Sequence, residues 1–271
     1  MKKIVAVIIS CILLTSCGAP KSEGNITKEL SSNNSIDNNT EKLQIKDVAV
    51  DSDKGVENKS KTNKYKYTIC IDPGHQSRGM TQKEAYAPGS SKKKDKVSSG
   101  ATGVVTKTPE YKLNLQVSLI LKTKLEEEGY RVVMTRETND VSLSNIDRAN
   151  IGNDNNANLV VRVHADSNES SSVTGSSILY PSGEYTKNIQ EESYKAAKSI
   201  ENKFKEHTGS KSRGVVPRDD MTGFNWSNVP TVIVEMGFLS NPREDKLMGS
   251  LEYQNKMATG IFNGVVGYIN R

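Results

Sequence analysis

Residues 158–166 read NLVVRVHAD, an apolar, β-branched run that ends on His164, and its reading decides the fold. Such runs suit strands. Two further stretches repeat the pattern: TICIDPGH at 68–75 ends on His75, and VPTVIVEMGF at 229–238 carries Glu235. In an open α/β sheet, reacting groups gather beyond the carboxyl ends of the strands, so these three residues are expected on one rim. The chain has 3 histidines, and two of them hold these positions. A single histidine there reads as a strand cap with a satisfied hydrogen bond. Two, with a glutamate in the same structural place, read as a site.

Outward from these runs, strands alternate with helices. The expected order is a strand at 67–72, a helix capped by Thr108 with Pro109 at its first position, and a strand at 131–135. The first helix presents Leu113, Val117, Ile120, Leu121 and Leu125 at helical spacing and stops at Gly129. A helix at 144–153, strands at 159–163 and 176–180, a long helix at 184–207, a strand at 231–234 and a closing helix at 252–268 complete the series. This alternation implies an α/β fold: one domain over residues 64–271, built on a mostly parallel twisted sheet with helices on both faces. The segment between the first strand and first helix, with Lys92, Lys93, Lys94 and Lys96, reads as a polar, solvated loop.

Ahead of this domain, Lys2 and Lys3 precede an apolar run from Ile4 to Leu14 that is too short to span a bilayer, as in a secretory signal. LTSC at 14–17 resembles the bacterial lipobox, which makes residues 1–17 a lipoprotein signal peptide and Cys17 the lipidated residue. Residues 18–63 are rich in Ser, Asn, Lys, Asp and Glu and lack apolar periodicity, as expected of a disordered tether. A flexible chain of that length spans roughly 35 to 40 Å. The implied location is the outer face of the cytoplasmic membrane, lipid-anchored and facing the wall. The Lys- and Asn-rich tether implies a low-GC Gram-positive source.

The formal net charge is +5; the two leader lysines and a tether with seven Lys against eight acidic residues leave +4 on residues 64–271. That suits an anionic wall and is too weak to argue for nucleic acid as a partner. Cys11 and Cys17 fall in the leader region, so Cys70 is alone in the domain and reads as a small buried hydrophobe. Neither a disulfide framework nor a cysteine metal site is available.

A metal site built on His75 and His164 needs a third ligand. Glu110 qualifies: taken alone it stabilises a helix start, but that helix leaves the rim on which the two histidines are expected. Two imidazoles and one carboxylate leave a fourth tetrahedral position for water, the arrangement of catalytic zinc, one ion per domain. Bound zinc lowers the water's pKa to about 7. Glu235, following a buried strand, suits the proton-moving role because burial raises a carboxyl pKa. Asp72 reads either as a second-sphere partner of an imidazole or as a turn residue, and Asp166 is equally open. His207 reads as a solvated residue near a helix terminus.

With these motifs in place, IDPGH at 71–75, PEYKLNLQVSLILKTKLEEEGYRVVMTR at 109–136, VRVHADS at 161–167 and VPTVIVEMGFLSNPRED at 229–245, the chain resembles the zinc-dependent N-acetylmuramoyl-L-alanine amidases called type 3 amidases. The resemblance covers residues 66–270. It implies cleavage of peptidoglycan between the muramic acid lactyl group and the first L-alanine of the stem peptide. It also implies that His75, Glu110 and His164 are zinc ligands and Glu235 is the catalytic glutamate. Partners implied are glycan strands and stem peptides, with a protein activator left open. The segment from Gln76 to Thr108 is longer than the short Gly-rich link of many members, and Arg218 to Asn228 is expected to form the opposite wall of the groove. Competing readings are a zinc peptidase acting on stem peptides and a catalytically silent, wall-binding lipoprotein.

Overall fold

The computed structural model describes residues 65–271. The expected signal peptide, the lipidated Cys17 and the tether lie outside the described residues. A six-stranded sheet runs in the order β4-β1-β5-β8-β6-β7. Its strands are β1 (Thr68–Pro73), β4 (Arg131–Met134), β5 (Leu159–Asp166), β6 (Ser176–Pro181), β7 (Ser212–Arg218) and β8 (Thr231–Phe238). β4, β1, β5 and β8 are mutually parallel; β6 lies antiparallel to β8 and parallel to β7. The mostly parallel α/β sheet read from the sequence is therefore present, with a reversed pair at one edge.

Alternation along the strands sorts side chains to two faces. Ile69, Ile71, Leu159, Val161, Val163, Val232 and Val234 face α1 (Glu110–Glu127), α3 (Gln190–Thr208) and α6 (Leu251–Ile269) in the main core. The opposite face is thinner. There Cys70 and Val160 pack with Ile151 of α2 (Asn145–Asp154), and Leu179 and Ile233 pack with Phe224 of α4 (Thr222–Asn225). Asp72, Arg162, His164 and Glu235 have the parity of this second face. Cys70 is fully buried and free, its thiol pushed up to about 12 by burial.

Several local expectations are corrected. Thr108 does not cap α1: Pro109 is the N-cap residue and Glu110 the first helical one, its amide donating to the Ala101 carbonyl. The helix expected at 184–207 is split, because a 3-10 turn (Glu184–Thr186) precedes α3 and buries Thr186. β7 carries Gly214 and Pro217, which argue against a strand. It lies at the sheet edge, where proline is tolerated, and Gly214, at φ 89°, sits at its register shift. A short helix, α5 (Pro242–Met248), capped by Asn241, follows β8. No helix among the described residues is long and apolar enough to cross a membrane.

The largest departure is the lysine-rich loop. It is an antiparallel hairpin, β2 (Met80–Ala85) with β3 (Lys93–Val97). Its side chains are exposed or half-buried apart from Glu84 and Val97, so no apolar alternation marks it. Glu84 accepts the amides of Asn145 and Ile146 at the start of α2. Trp226 Nε1 donates to the Ala85 carbonyl at 2.9 Å, Asn225 donates to that of Tyr86, and Tyr86 in turn donates to the Asp219 carbonyl. The hairpin and the 218–226 segment, expected as opposite walls, are thus joined into one.

Candidate metal centre

β1 ends in the turn that carries His75, held at φ 59°, a left-handed conformation unusual for a non-glycine residue. Four guanidinium contacts fix that turn. Arg136 donates to the carbonyls of Pro73 and Gly74, and Arg148 to those of Pro73 and His75. Asp72, at the end of β1, holds Arg148 at 2.6 Å and Arg162 at 2.7 Å and accepts from Thr135. It touches neither imidazole, so it is a buried anchor rather than a turn residue or a histidine partner. Burial alone would raise its carboxyl; Arg148 and Arg162 outweigh that and hold it far below the ordinary range.

His164 does not follow its strand but sits within β5, and Glu235 sits within β8. The site therefore opens on the second face of the sheet, near the carboxyl ends, rather than beyond them. His75, Glu110 and His164 each offer one ligand atom, and these atoms lie within 4.8 Å of one another. His75 Nε2 is 3.1 Å and His164 Nδ1 is 3.2 Å from Glu110 Oε1. The ligand set read from the sequence converges in space.

The protonation pattern fits a cation. His75 Nδ1 is 2.9 Å from the Ser98 carbonyl, which can only accept, so Nδ1 carries the proton and Nε2 turns its lone pair toward Glu110. Ser98 directly follows the hairpin. Burial lowers His164 to about 4, keeping the imidazole neutral. Burial pushes Glu110 up, but the His164 and His75 imidazoles beside it outweigh that and hold the carboxyl well below its usual value. Its Oε2 also accepts the Ala101 amide at 2.8 Å. An ideal Cβ on Gly74 would stand 2.2 Å from the His164 ring, so glycine is required where the two strand ends meet.

A cavity of about 280 Å³ opens over this cluster, lined in part by His75, Ser98, Arg162, His164, Met221 and Glu235. Glu235 faces it, yet its Oε2 is shielded from solvent and without a hydrogen bond. Burial, then Glu110 and Asp166, push its carboxyl well above the ordinary value against Arg218 and Arg162. Of the residues left open, Asp166 accepts the Ser167 amide, and His207, in the last turn of α3 as expected, also pairs with Asn263 of α6 at 2.8 Å. The sequence reading missed Arg136, Arg148 and Arg162. An arginine between Val161 and Val163 in a central strand needs a buried partner, and that signal was present.

Residues 69–266 match the family described as N-acetylmuramoyl-L-alanine amidase. The N-acetylmuramoyl-L-alanine amidase LytC of Bacillus subtilis is 29% identical over 201 residues, 74% of this chain; the chain spans 35% of that protein's length. The N-acetylmuramoyl-L-alanine amidase Rv3717 of Mycobacterium tuberculosis is 25% identical over 207 residues, 74% of this chain and 86% of that one. The crystal structure of the N-acetylmuramyl-L-alanine amidase Ami1 from Mycobacterium smegmatis superposes with a TM-score of 0.70 at 25% identity, covering 77% of this chain and 99% of its own.

Proposed function

The chain belongs to the N-acetylmuramoyl-L-alanine amidase family, and from that premise we propose that it is a zinc-dependent peptidoglycan hydrolase. It cleaves the amide between the muramic acid lactyl group and the first L-alanine of the stem. The observation that carries this reading is the convergence of His75 Nε2, Glu110 Oε1 and His164 Nδ1 in the cavity that also receives Glu235.

His75, Glu110 and His164 would hold the ion. Bound zinc supplies Lewis acidity toward the scissile carbonyl and acidifies a water. The chain's own residues do the rest. Glu235 accepts the water's proton and returns it to the leaving alanine nitrogen, the task its raised carboxyl pKa suits. The Ser98 carbonyl keeps His75 in one tautomer, and the cavity confines the amide.

Digestion of purified wall with and without a chelator tests this. New alanine amino groups, no new reducing sugar ends, and loss of both effect and bound zinc with chelator are expected. Reducing ends without amines would indicate a glycosidase, and shortened stem peptides a peptidase.

We also propose that Cys17 is lipidated and tethers the enzyme to the outer face of the cytoplasmic membrane, on the strength of LTSC at 14–17 and the polar segment after it. Incorporation of labelled fatty acid into the full chain, abolished in Cys17→Ala, is the expected result. Unlabelled wild-type protein would remove the anchor from the proposal.

A further inference from the structure

Three guanidiniums are buried beside the site, and one buried carboxylate, Asp72, pairs with two of them. Arg136, Arg148 and Arg162 are 3%, 2% and 7% exposed. Arg136 directs its donors at the carbonyls of Pro73, Gly74, Tyr111 and Thr138 and at the Asn139 side chain. Arg148 engages both terminal nitrogens, with Asp72, Pro73, His75 and Gln76. These two clamp the turn that bears His75.

Arg162 is different. Its Nε donates to Asp72 at 2.7 Å and its Nη2 to Asn145 at 3.3 Å, but Nη1 makes no hydrogen bond among the described residues. It lies on the cavity that His164 and Glu235 share. An ideal Cβ on Gly223 would stand 2.2 Å from Nη1, so the residue beneath the guanidinium leaves it room only as glycine. A buried guanidinium with one arm undirected, opening on a cavity, favours a carboxylate that completes its fork.

The spacing specifies which carboxylate. Arg162 and His164 are two residues apart on one face of β5, about 6.6 Å along the strand. An extended peptide advances about 3.3–3.6 Å per residue, so two residues from the scissile amide reach the level of Arg162. In a stem whose second residue is glutamate linked through its side chain, the α-carboxylate is free and branches off there.

We propose that Arg162 binds the free α-carboxylate of the second stem residue, so that the enzyme selects stems bearing it over stems in which that group is amidated. This rests on the amidase reading of the same site. Arg162 is on this account a specificity residue that touches substrate, besides its bond to Asp72.

The test compares N-acetylmuramoyl-L-Ala-γ-D-Glu-L-Lys with its counterpart amidated at the second residue. Wild-type enzyme is expected to show a kcat/KM about tenfold or more higher for the free acid, the range of a hydrogen bond to a charged group. In Arg162→Gln that ratio falls toward one, and in Arg162→Lys it falls part of the way. Calorimetric binding of L-Ala-γ-D-Glu and its amide to the zinc-loaded protein gives the same comparison without turnover. A purely structural Arg162 would slow both substrates alike and keep the ratio. Equal use of both tripeptides by the wild type, or an unchanged ratio in Arg162→Gln, overturns the proposal. If Arg162→Gln fails to fold, the wild-type ratio and Gly223→Ala, which crowds Nη1, decide it. Hydrolysis of neither tripeptide nor wall counts against the amidase reading itself, and the proposal falls with it.

Discussion

Glu235 stands directly across the β5–β8 register from His164. The group proposed for proton transfer and a proposed metal ligand are therefore fixed by neighbouring parallel strands, not by a mobile loop. Replacing the carboxylate should separate chemistry from metal binding. Glu235→Gln is expected to keep bound zinc near one per chain while losing about 10²–10⁴-fold in kcat, the range for a positioned acid/base group. Metal content and wall-digestion rates measured on one preparation check this; unchanged hydrolysis with zinc bound would remove Glu235 from the mechanism.

Gly74 offers a sharper probe of the ligand geometry. A methyl group there would meet the His164 ring at 2.2 Å, and neither strand end can yield without moving a ligand. Gly74→Ala should weaken zinc retention at least as much as it weakens the fold. Competition with a chromophoric chelator reads the first and thermal melting the second. Wild-type zinc affinity in this variant would show that the ring is free to move.

The hairpin is predicted to matter to the metal through Ser98. Glu84→Ala removes the buried carboxylate that receives two α2 amides, at an expected cost of about 1–3 kcal/mol for donors left unpaired. Because β3 leads straight into Ser98, zinc affinity should fall together with stability. A variant destabilised but unchanged in zinc affinity would show that the Ser98 carbonyl is held by other contacts.

Asp72 sets the acid limit of the fold. Its folded-state pKa is depressed by Arg148 and Arg162, so its contribution is complete above the unfolded value of about 4 and is lost as pH falls below that value toward the folded one. Asp72→Asn should cost about 3–5 kcal/mol at neutral pH, because it leaves two guanidiniums buried without their carboxylate. It should also flatten the loss of stability below pH 4. Urea unfolding at several pH values checks both; parallel wild-type and variant curves would refute the assignment.

What could be read from the sequence followed from how strongly burial patterns residues. β1, β5 and β8 declare themselves because their core-facing positions are apolar, and Leu113, Val117, Leu121 and Leu125 are fully or nearly fully buried in α1. The three candidate ligand positions were legible for the same reason, since each adjoins a strongly patterned element. The hairpin was not, because it buries Glu84 and Val97 and little else. β7 was hidden by Gly214 and Pro217, residues that only an edge position excuses. The arginine network was illegible in its pairing: Asp72, Arg148 and Arg162 are 76 and 90 residues apart, and no local period links them.

The hairpin is held in place largely through main-chain acceptors. Ala85, Tyr86 and Lys96 offer carbonyls to Trp226, Asn225 and Asn145, and the Asp219 and Asp220 carbonyls receive Tyr86 and Lys94. Every residue type supplies the same carbonyl. A wall fastened in this manner tolerates wholesale change of its outward side chains, Lys92, Lys93 and Asp95 among them, without shifting the Ser98 carbonyl beneath it. The outward face of the hairpin and the bond that orients His75 can therefore vary independently, although one short ribbon carries both.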